Sequence, residues 1–110
     1  MLTALWGWFV AFFFTQLFEM PIYWKATRSL RIGFFASAIT HPVVWFVFPV
    51  LMERGVDYGP MVALAESFAV LAEAAWLRFN HVPRALLWSL LANTVSATCG
   101  FVLRALVGFP

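Results

Sequence analysis

Charged side chains are scarce in this sequence, which has only seven Lys and Arg and five Asp and Glu among its 110 residues. Soluble domains are about one-quarter charged, so a chain that is 11% charged and 64% hydrophobic is not typical of that class. The net charge of +2 is too small to indicate a nucleic-acid partner. The mean hydropathy of +0.88 instead indicates an integral membrane protein.

Metal-binding and redox-active residues are scarce as well. Cys99 is the single cysteine, which excludes an intrachain disulfide and the Cys-x-x-Cys chemistry of thiol oxidoreductases. The two histidines, His41 and His81, fall at different predicted depths, so they are not expected to ligate one haem. No glutamate begins the Glu-x-x-His motif of di-iron bundles. We therefore expect neither a metal site nor a cofactor.

What the sequence does have is four long apolar segments. Each is long enough to cross a bilayer, and together they cover residues of about 2–24, 32–52, 61–79 and 85–106. The first lacks the basic start and the cleavage site of a secretory signal, so we expect it to remain as a helix. Tyr23 and Trp24 near its end are typical of the membrane interface. The sequence predicts one all-α domain, a polytopic membrane protein with four transmembrane helices bundled by short loops.

The loops between these segments differ in positive charge. Lys and Arg concentrate in residues 25–31 and 78–84, whereas the loop between the second and third segments has only Arg54. Because basic loops stay in the cytoplasm, we expect both of these loops inside and both termini outside the inner membrane. Arg104 lies at the outer end of the last segment, where it could reach the interface or turn inward toward Glu66.

The third segment carries two carboxyl groups. Glu66 and Glu73 are seven residues apart and therefore lie on one helical face. A charged side chain at the centre of a bilayer costs about 2.5 to 3.5 kcal/mol on insertion scales. The other helices must therefore supply polar groups for these carboxyls, either as a proton or cation site or as structural hydrogen-bond partners.

Polar residues of all four segments are predicted at a similar depth. We estimated depth at about 1.5 Å per residue from the cytoplasmic end of each helix. The resulting layer contains Glu73, Asn93, Glu19 and Ser37, with His41 and Ser96 nearer the midplane. Together with Glu66 these residues are the candidate intramembrane polar site. Two alternatives remain for single members, because Glu19 could pair with Lys25 or Arg28 at the interface and His41 could be a hydrogen-bonded interior histidine.

The last segment has a regular polar stripe. Ser89, Asn93, Ser96 and Gly100 recur every three or four residues and therefore share one helical face. Small and hydrogen-bonding residues let membrane helices approach each other closely, so we expect Ser89 and Gly100 to pack against a neighbouring helix.

Three short polar motifs follow one another along the apolar segments. They are Glu-x-Pro from Glu19, Thr-x-Pro from Thr40 and Asn-x-x-Ser from Asn93. In this pattern the chain resembles a group of small four-helix bacterial inner-membrane proteins with no assigned function. The resemblance implies a four-helix inner-membrane protein and brings no activity with it.

Three functions are consistent with these features. The first is a small transporter or channel, coupled to protons or cations, in which the polar layer lines a path. The alternative is a non-catalytic accessory subunit of a larger membrane complex. An intramembrane enzyme is less favoured, because Ser37 and His41 lack a Gly-x-Ser-x-Gly element or other oxyanion donors. The expected partners are the lipid bilayer and either further copies of the chain or other membrane subunits, with no nucleic acid.

Overall fold

Helices make up nearly all of the chain. The computed structural model describes residues 2–108, in which 87% of the chain is helical and no strand occurs. In chain order the elements are α1 (Leu2–Thr27), α2 (Leu30–Pro42), a π-helical turn (Val43–Val47), α3 (Val50–Glu53), α4 (Tyr58–Phe79) and α5 (Ala85–Val107). The prediction of an all-helical chain is confirmed.

Four helical segments are long and apolar enough to cross a membrane. They are Leu5–Thr27, Leu30–Glu53, Tyr58–Phe79 and Ala85–Val107, the second being α2, the π-helical turn and α3 taken together. The number of apolar helices is therefore as predicted, and each observed segment contains most of its predicted span. The first extends three residues past the predicted end, where the Thr27 hydroxyl donates to the Tyr23 carbonyl at 2.7 Å.

The turn between α1 and α2 is short because local residues cap both helices. Arg28 adopts a left-handed conformation with φ of 55°, which ends α1 abruptly. Ser29 is extended and its side chain accepts a hydrogen bond from the Ile32 amide at 3.2 Å, so it is the N-cap of α2. This tight connection holds α1 and α2 as antiparallel neighbours.

Pro21 and Pro42 differ in their effect on the helix that contains each of them. α1 continues through Pro21 without a break in helical structure. At Pro42 the α-helical pattern ends and the π-helical turn begins, with the Phe48 amide donating to the Val43 carbonyl at 3.2 Å. Proline has no amide hydrogen, so the hydrogen-bond ladder changes register beyond it. The helix thus continues beyond Pro42 as a π-helical segment.

The four long segments pack as a ring. Each of α1, α2, α4 and α5 contacts two neighbours, in the order α1, α2, α4, α5 and back to α1. Small apolar residues and polar residues face the centre, while large apolar residues such as Phe13, Leu71 and Leu87 are more than half exposed on the outside. In soluble proteins large apolar residues lie mostly in the core and polar residues mostly on the surface, so this arrangement is the reverse. It leaves a narrow interior in which polar side chains meet.

Candidate functional site

Glu73 lies at the centre of the ring, with its side chain only 2% exposed. Its Oε1 atom accepts hydrogen bonds from the Tyr23 hydroxyl at 2.5 Å and from the Asn93 amide at 3.2 Å. Its Oε2 atom accepts from the Thr40 hydroxyl at 2.7 Å. Each of the other three long segments therefore donates one hydrogen bond to this α4 carboxyl.

Glu19 is a second buried carboxyl, also 2% exposed, on α1. Its Oε1 atom accepts from the Ser37 hydroxyl at 2.5 Å, and its Oε2 atom accepts from the Ser96 hydroxyl. Both Glu19 and Glu73 line the same cavity. The interfacial pairing of Glu19 with a nearby basic residue is wrong, because within residues 2–108 this side chain makes no ion pair and turns toward the interior.

These seven side chains form what we call the dicarboxyl cluster: Glu19, Tyr23, Ser37, Thr40, Glu73, Asn93 and Ser96. Four hydroxyl groups and one amide donate to the two carboxyls. Among the described residues no Lys, Arg or His side chain bonds either carboxyl. The cluster therefore offers hydrogen-bond donors to negative charge but no compensating positive charge.

The structure brings together five of the predicted site residues: Glu19, Glu73, Asn93, Ser96 and Ser37. Sequence reasoning missed Tyr23 and Thr40. Tyr23 was assigned to the membrane interface because aromatic residues concentrate there, yet its side chain is 0% exposed. The signal that could have found it is spacing, since Tyr23 follows Glu19 by four residues and Thr40 follows Ser37 by three, on the same helical faces.

The two residues expected to pack helices are placed differently. Ser89 is buried where α5 meets α4, and its hydroxyl donates to the Val70 carbonyl at 2.7 Å. Gly100 instead has open space around it, because a Cβ atom added there would meet no atom within 4 Å. It lines a cavity rather than a close helix contact.

A cavity of about 420 Å³ adjoins the dicarboxyl cluster. At one end it is lined by cluster residues, including Glu19 and Glu73. Aromatic and small residues form much of its wall, and Arg104 near the end of α5 also lines it. The cavity therefore leads from the buried carboxyls toward the part of the bundle where α5 ends and α4 begins.

Glu66 lines this same cavity one heptad before Glu73, a separation of about 10 Å along α4. Its side chain is partly exposed, and within residues 2–108 it makes no hydrogen bond or ion pair. The structure thus places it near the cluster but outside its hydrogen bonds. Arg104 does not turn inward to pair with it, because the guanidinium donates to the Tyr58 hydroxyl at 3.0 Å.

His41 lies among aromatic rings rather than in the cluster. Its ring centroid is 5.4 Å from that of Phe12, 6.2 Å from that of Trp8 and 6.3 Å from that of Trp45. Its buried Nδ1 atom has no hydrogen-bond partner in the described residues, so the interpretation as a hydrogen-bonded interior histidine is wrong. The Ser37 hydroxyl donates to Glu19 rather than to His41.

No group of three or more His, Cys, Asp and Glu side chains that could hold a metal lies within residues 2–108. His81 is exposed in the turn before α5. Comparison of the chain with protein-family models, with curated proteins and with solved structures gives no match. The dicarboxyl cluster and the cavity are therefore the features that bear on function.

Proposed function

We propose that this chain is a multi-pass integral membrane protein in which the dicarboxyl cluster is a proton-binding site that serves transport. The observation that carries the proposal is the convergence of all four long segments on Glu19 and Glu73 without a basic partner. Four apolar helices with large hydrophobic residues on their outer faces support insertion in a bilayer.

The absence of a counter-ion limits the charge of the pair. Like charges on neighbouring buried carboxyls repel each other by an amount on the order of kcal/mol. Carboxyls that share a site in this way hold one proton between them, as in the aspartic proteases. We infer that Glu19 and Glu73 together carry at most one negative charge and exchange a single proton.

The hydrogen-bond pattern favours a proton over a metal cation. Four hydroxyl groups direct their hydrogens at the carboxyl oxygens, three of them at distances of 2.5 to 2.7 Å. A bound cation would compete with these donors for the carboxyl oxygens, since hard cations take oxygen ligands. A proton on one carboxyl oxygen leaves the donors to the other oxygens in place.

The cavity gives the site a route to one side of the bilayer. It leads from Glu19 and Glu73 past Glu66 toward the end of α5. The positive-inside rule places that end outside, because the basic loops 25–31 and 78–84 lie at the other end of the bundle. Protons would therefore reach the cluster from the outer face, with both termini on that face.

Proton flux in proteoliposomes tests the transport role. A pH-sensitive dye inside the vesicles reports acidification when a potassium diffusion potential is applied. We expect flux with the native chain and loss of flux with Glu73→Gln, which keeps the shape and the acceptor oxygen but cannot ionise. Glu53→Gln is the matched control, since Glu53 is exposed at the end of α3. Unchanged flux in Glu73→Gln would exclude this residue from the mechanism.

Orientation can be tested by cysteine labelling. In a Cys99→Ser background, Pro83→Cys and Asp57→Cys place single thiols in exposed positions of two different loops. In intact cells a membrane-impermeant maleimide should label the thiol at position 57 and not the one at position 83. The reverse pattern would invert the topology.

A second function, that of an accessory subunit, is favoured by a groove on the outer side of α4 and α5. Glu66, Thr94 and Thr98 line it, and both threonines are exposed on a surface that would otherwise face lipid. Polar side chains in that position suit contact with a helix of another subunit. Purification in mild detergent discriminates, because a stable lone chain that retains proton flux would exclude this function.

A further inference from the structure

The cavity beside the dicarboxyl cluster has the size and the wall of a small-molecule site. Its volume of about 420 Å³ falls in the range of about 300 to 1,000 Å³ in which drug-sized ligands bind. Phe18, Trp45 and Phe101 contribute aromatic surface to the wall. Aromatic faces attract cations and also pack against apolar groups. This wall therefore suits a ligand that has a positive charge and an apolar body.

One carboxyl in this cavity is free to take a charged partner. The oxygens of Glu19 and Glu73 already accept hydrogen bonds from their neighbours in the cluster. Glu66 accepts none from any described residue, although its side chain is partly buried and lines the same cavity. A carboxylate in apolar surroundings that has neither a hydrogen-bond donor nor a counter-ion is costly. A cationic ligand would supply the positive charge that no described side chain brings to Glu66.

Arg104 does not fill this role, although it also lines the cavity. Its guanidinium donates to the Tyr58 hydroxyl at 3.0 Å and lies 5.6 Å from the centroid of that ring. Two contacts with the first turn of α4 thus hold this charge at the end of the bundle. Glu66 remains without a cation inside the cavity.

We propose that the cavity binds a lipophilic organic cation, with its charged nitrogen at Glu66 and its apolar body against Trp45 and the neighbouring aromatic side chains. The role of this ligand as a transported substrate rests on the proposed function, whereas its binding does not. Release of a proton from the nearby cluster would then accompany entry of the cation, because Glu66 lines the same cavity as Glu19 and Glu73.

Equilibrium dialysis of the full chain in detergent tests the binding. The probe is radiolabelled benzyltrimethylammonium, with empty micelles as the blank and uncharged neopentylbenzene, which has the same shape, as a competitor. We expect saturable binding that the neutral compound does not displace. Glu66→Gln should weaken it by about ten-fold or more, because the ion pair between the quaternary nitrogen and the carboxylate is lost.

Three further variants complete the test. Glu66→Asp keeps the charge and should retain binding, while Glu53→Gln should match the native chain. Trp45→Leu keeps an apolar wall without a π face and should weaken binding by several-fold. Gel filtration and thermal unfolding establish that each variant is folded.

Several results would overturn the inference. One is the absence of saturable binding by the native chain, and another is equal affinity in Glu66→Gln and the native chain. A third is efficient displacement of the probe by neopentylbenzene, which would indicate that the cavity binds neutral lipid. Failure of this inference and of the proton-site proposal are distinguishable. Proton flux without cation binding contradicts only the cation-binding inference. Cation binding without proton flux contradicts only the proton-site proposal.

Discussion

Replacing Tyr23 by Phe tests whether the dicarboxyl cluster holds the bundle together. The substitution removes one hydroxyl and keeps the ring of a side chain that is 0% exposed. That hydroxyl donates to the Glu73 carboxyl at 2.5 Å, one of three hydrogen bonds to this group.

The expected cost follows from the kind of hydrogen bond removed. Hydrogen bonds to charged groups contribute about 1.5 to 3 kcal/mol in soluble proteins. Interhelical hydrogen bonds in a membrane protein average about 0.6 kcal/mol and reach about 1.7 kcal/mol. Because the contact is buried and short, we expect Tyr23→Phe to lower the free energy of unfolding by about 1 to 2 kcal/mol.

The other tyrosine provides a matched control. Tyr58 accepts a hydrogen bond from Arg104 at 3.0 Å, but its side chain is 44% exposed. Tyr58→Phe makes the same chemical change in water-accessible surroundings and should cost less than about 0.5 kcal/mol. Reversible unfolding by a denaturing detergent in mixed micelles, followed by far-UV circular dichroism, measures both. Equal losses in the two variants would refute the central role of the cluster.

A double-mutant cycle makes this test specific. If Tyr23 acts through Glu73, its replacement by Phe should cost less in a Glu73→Gln background than in the native chain. The coupling energy should exceed about 0.5 kcal/mol, since residues in one hydrogen-bond network are not additive. Additive losses would show that Tyr23 stabilises the bundle through packing alone.

Two other substitutions test local packing and capping. Gly33→Ala should be less stable than Gly100→Ala by about 1 kcal/mol, because a Cβ at position 33 would lie 3.0 Å from Cβ of Tyr23 whereas one at position 100 meets open space; equal thermal stabilities would contradict the close approach of α1 and α2. Ser29→Ala should cost about 1 kcal/mol through loss of the N-cap of α2, measured by the same unfolding assay, and no change would show that the cap is dispensable.

The number of apolar helices could be predicted from the sequence because hydropathy alone determines it. Apolar runs of about 20 residues have few alternatives to a helix when charged residues are this scarce. The shared depth of Glu19, Glu73 and Asn93 also followed from counting residues along helices. The structure brings these three side chains into one cluster, as the common depth suggested.

Side-chain direction was harder to predict than depth. Tyr23 was placed at the interface from residue type, although its spacing from Glu19 puts it on the inner face. His41 directly follows Thr40 of the cluster, yet its ring packs among aromatic side chains and its Nδ1 atom has no hydrogen-bond partner among the described residues. Hydropathy does not specify the rotation of a helix about its axis, so such errors are expected where nearly every face is apolar.

The difference between Ser89 and Gly100 has the same origin. Both belong to the polar stripe of α5, but only Ser89 lies where α5 packs closely on α4. Toward the end of α5 the cavity separates Gly100 from its neighbours. A stripe indicates which face turns inward and not how close the opposing helix comes along its length.

Infrared spectroscopy of the protein in lipid at neutral pH tests the central claim most directly. A shared proton on Glu19 and Glu73 predicts an absorption band of a protonated carboxylic acid that shifts to lower frequency in deuterated buffer. The band should disappear in Glu73→Gln and persist in Glu53→Gln. A spectrum that shows only ionised carboxylates, or a band that Glu73→Gln leaves unchanged, would contradict the account.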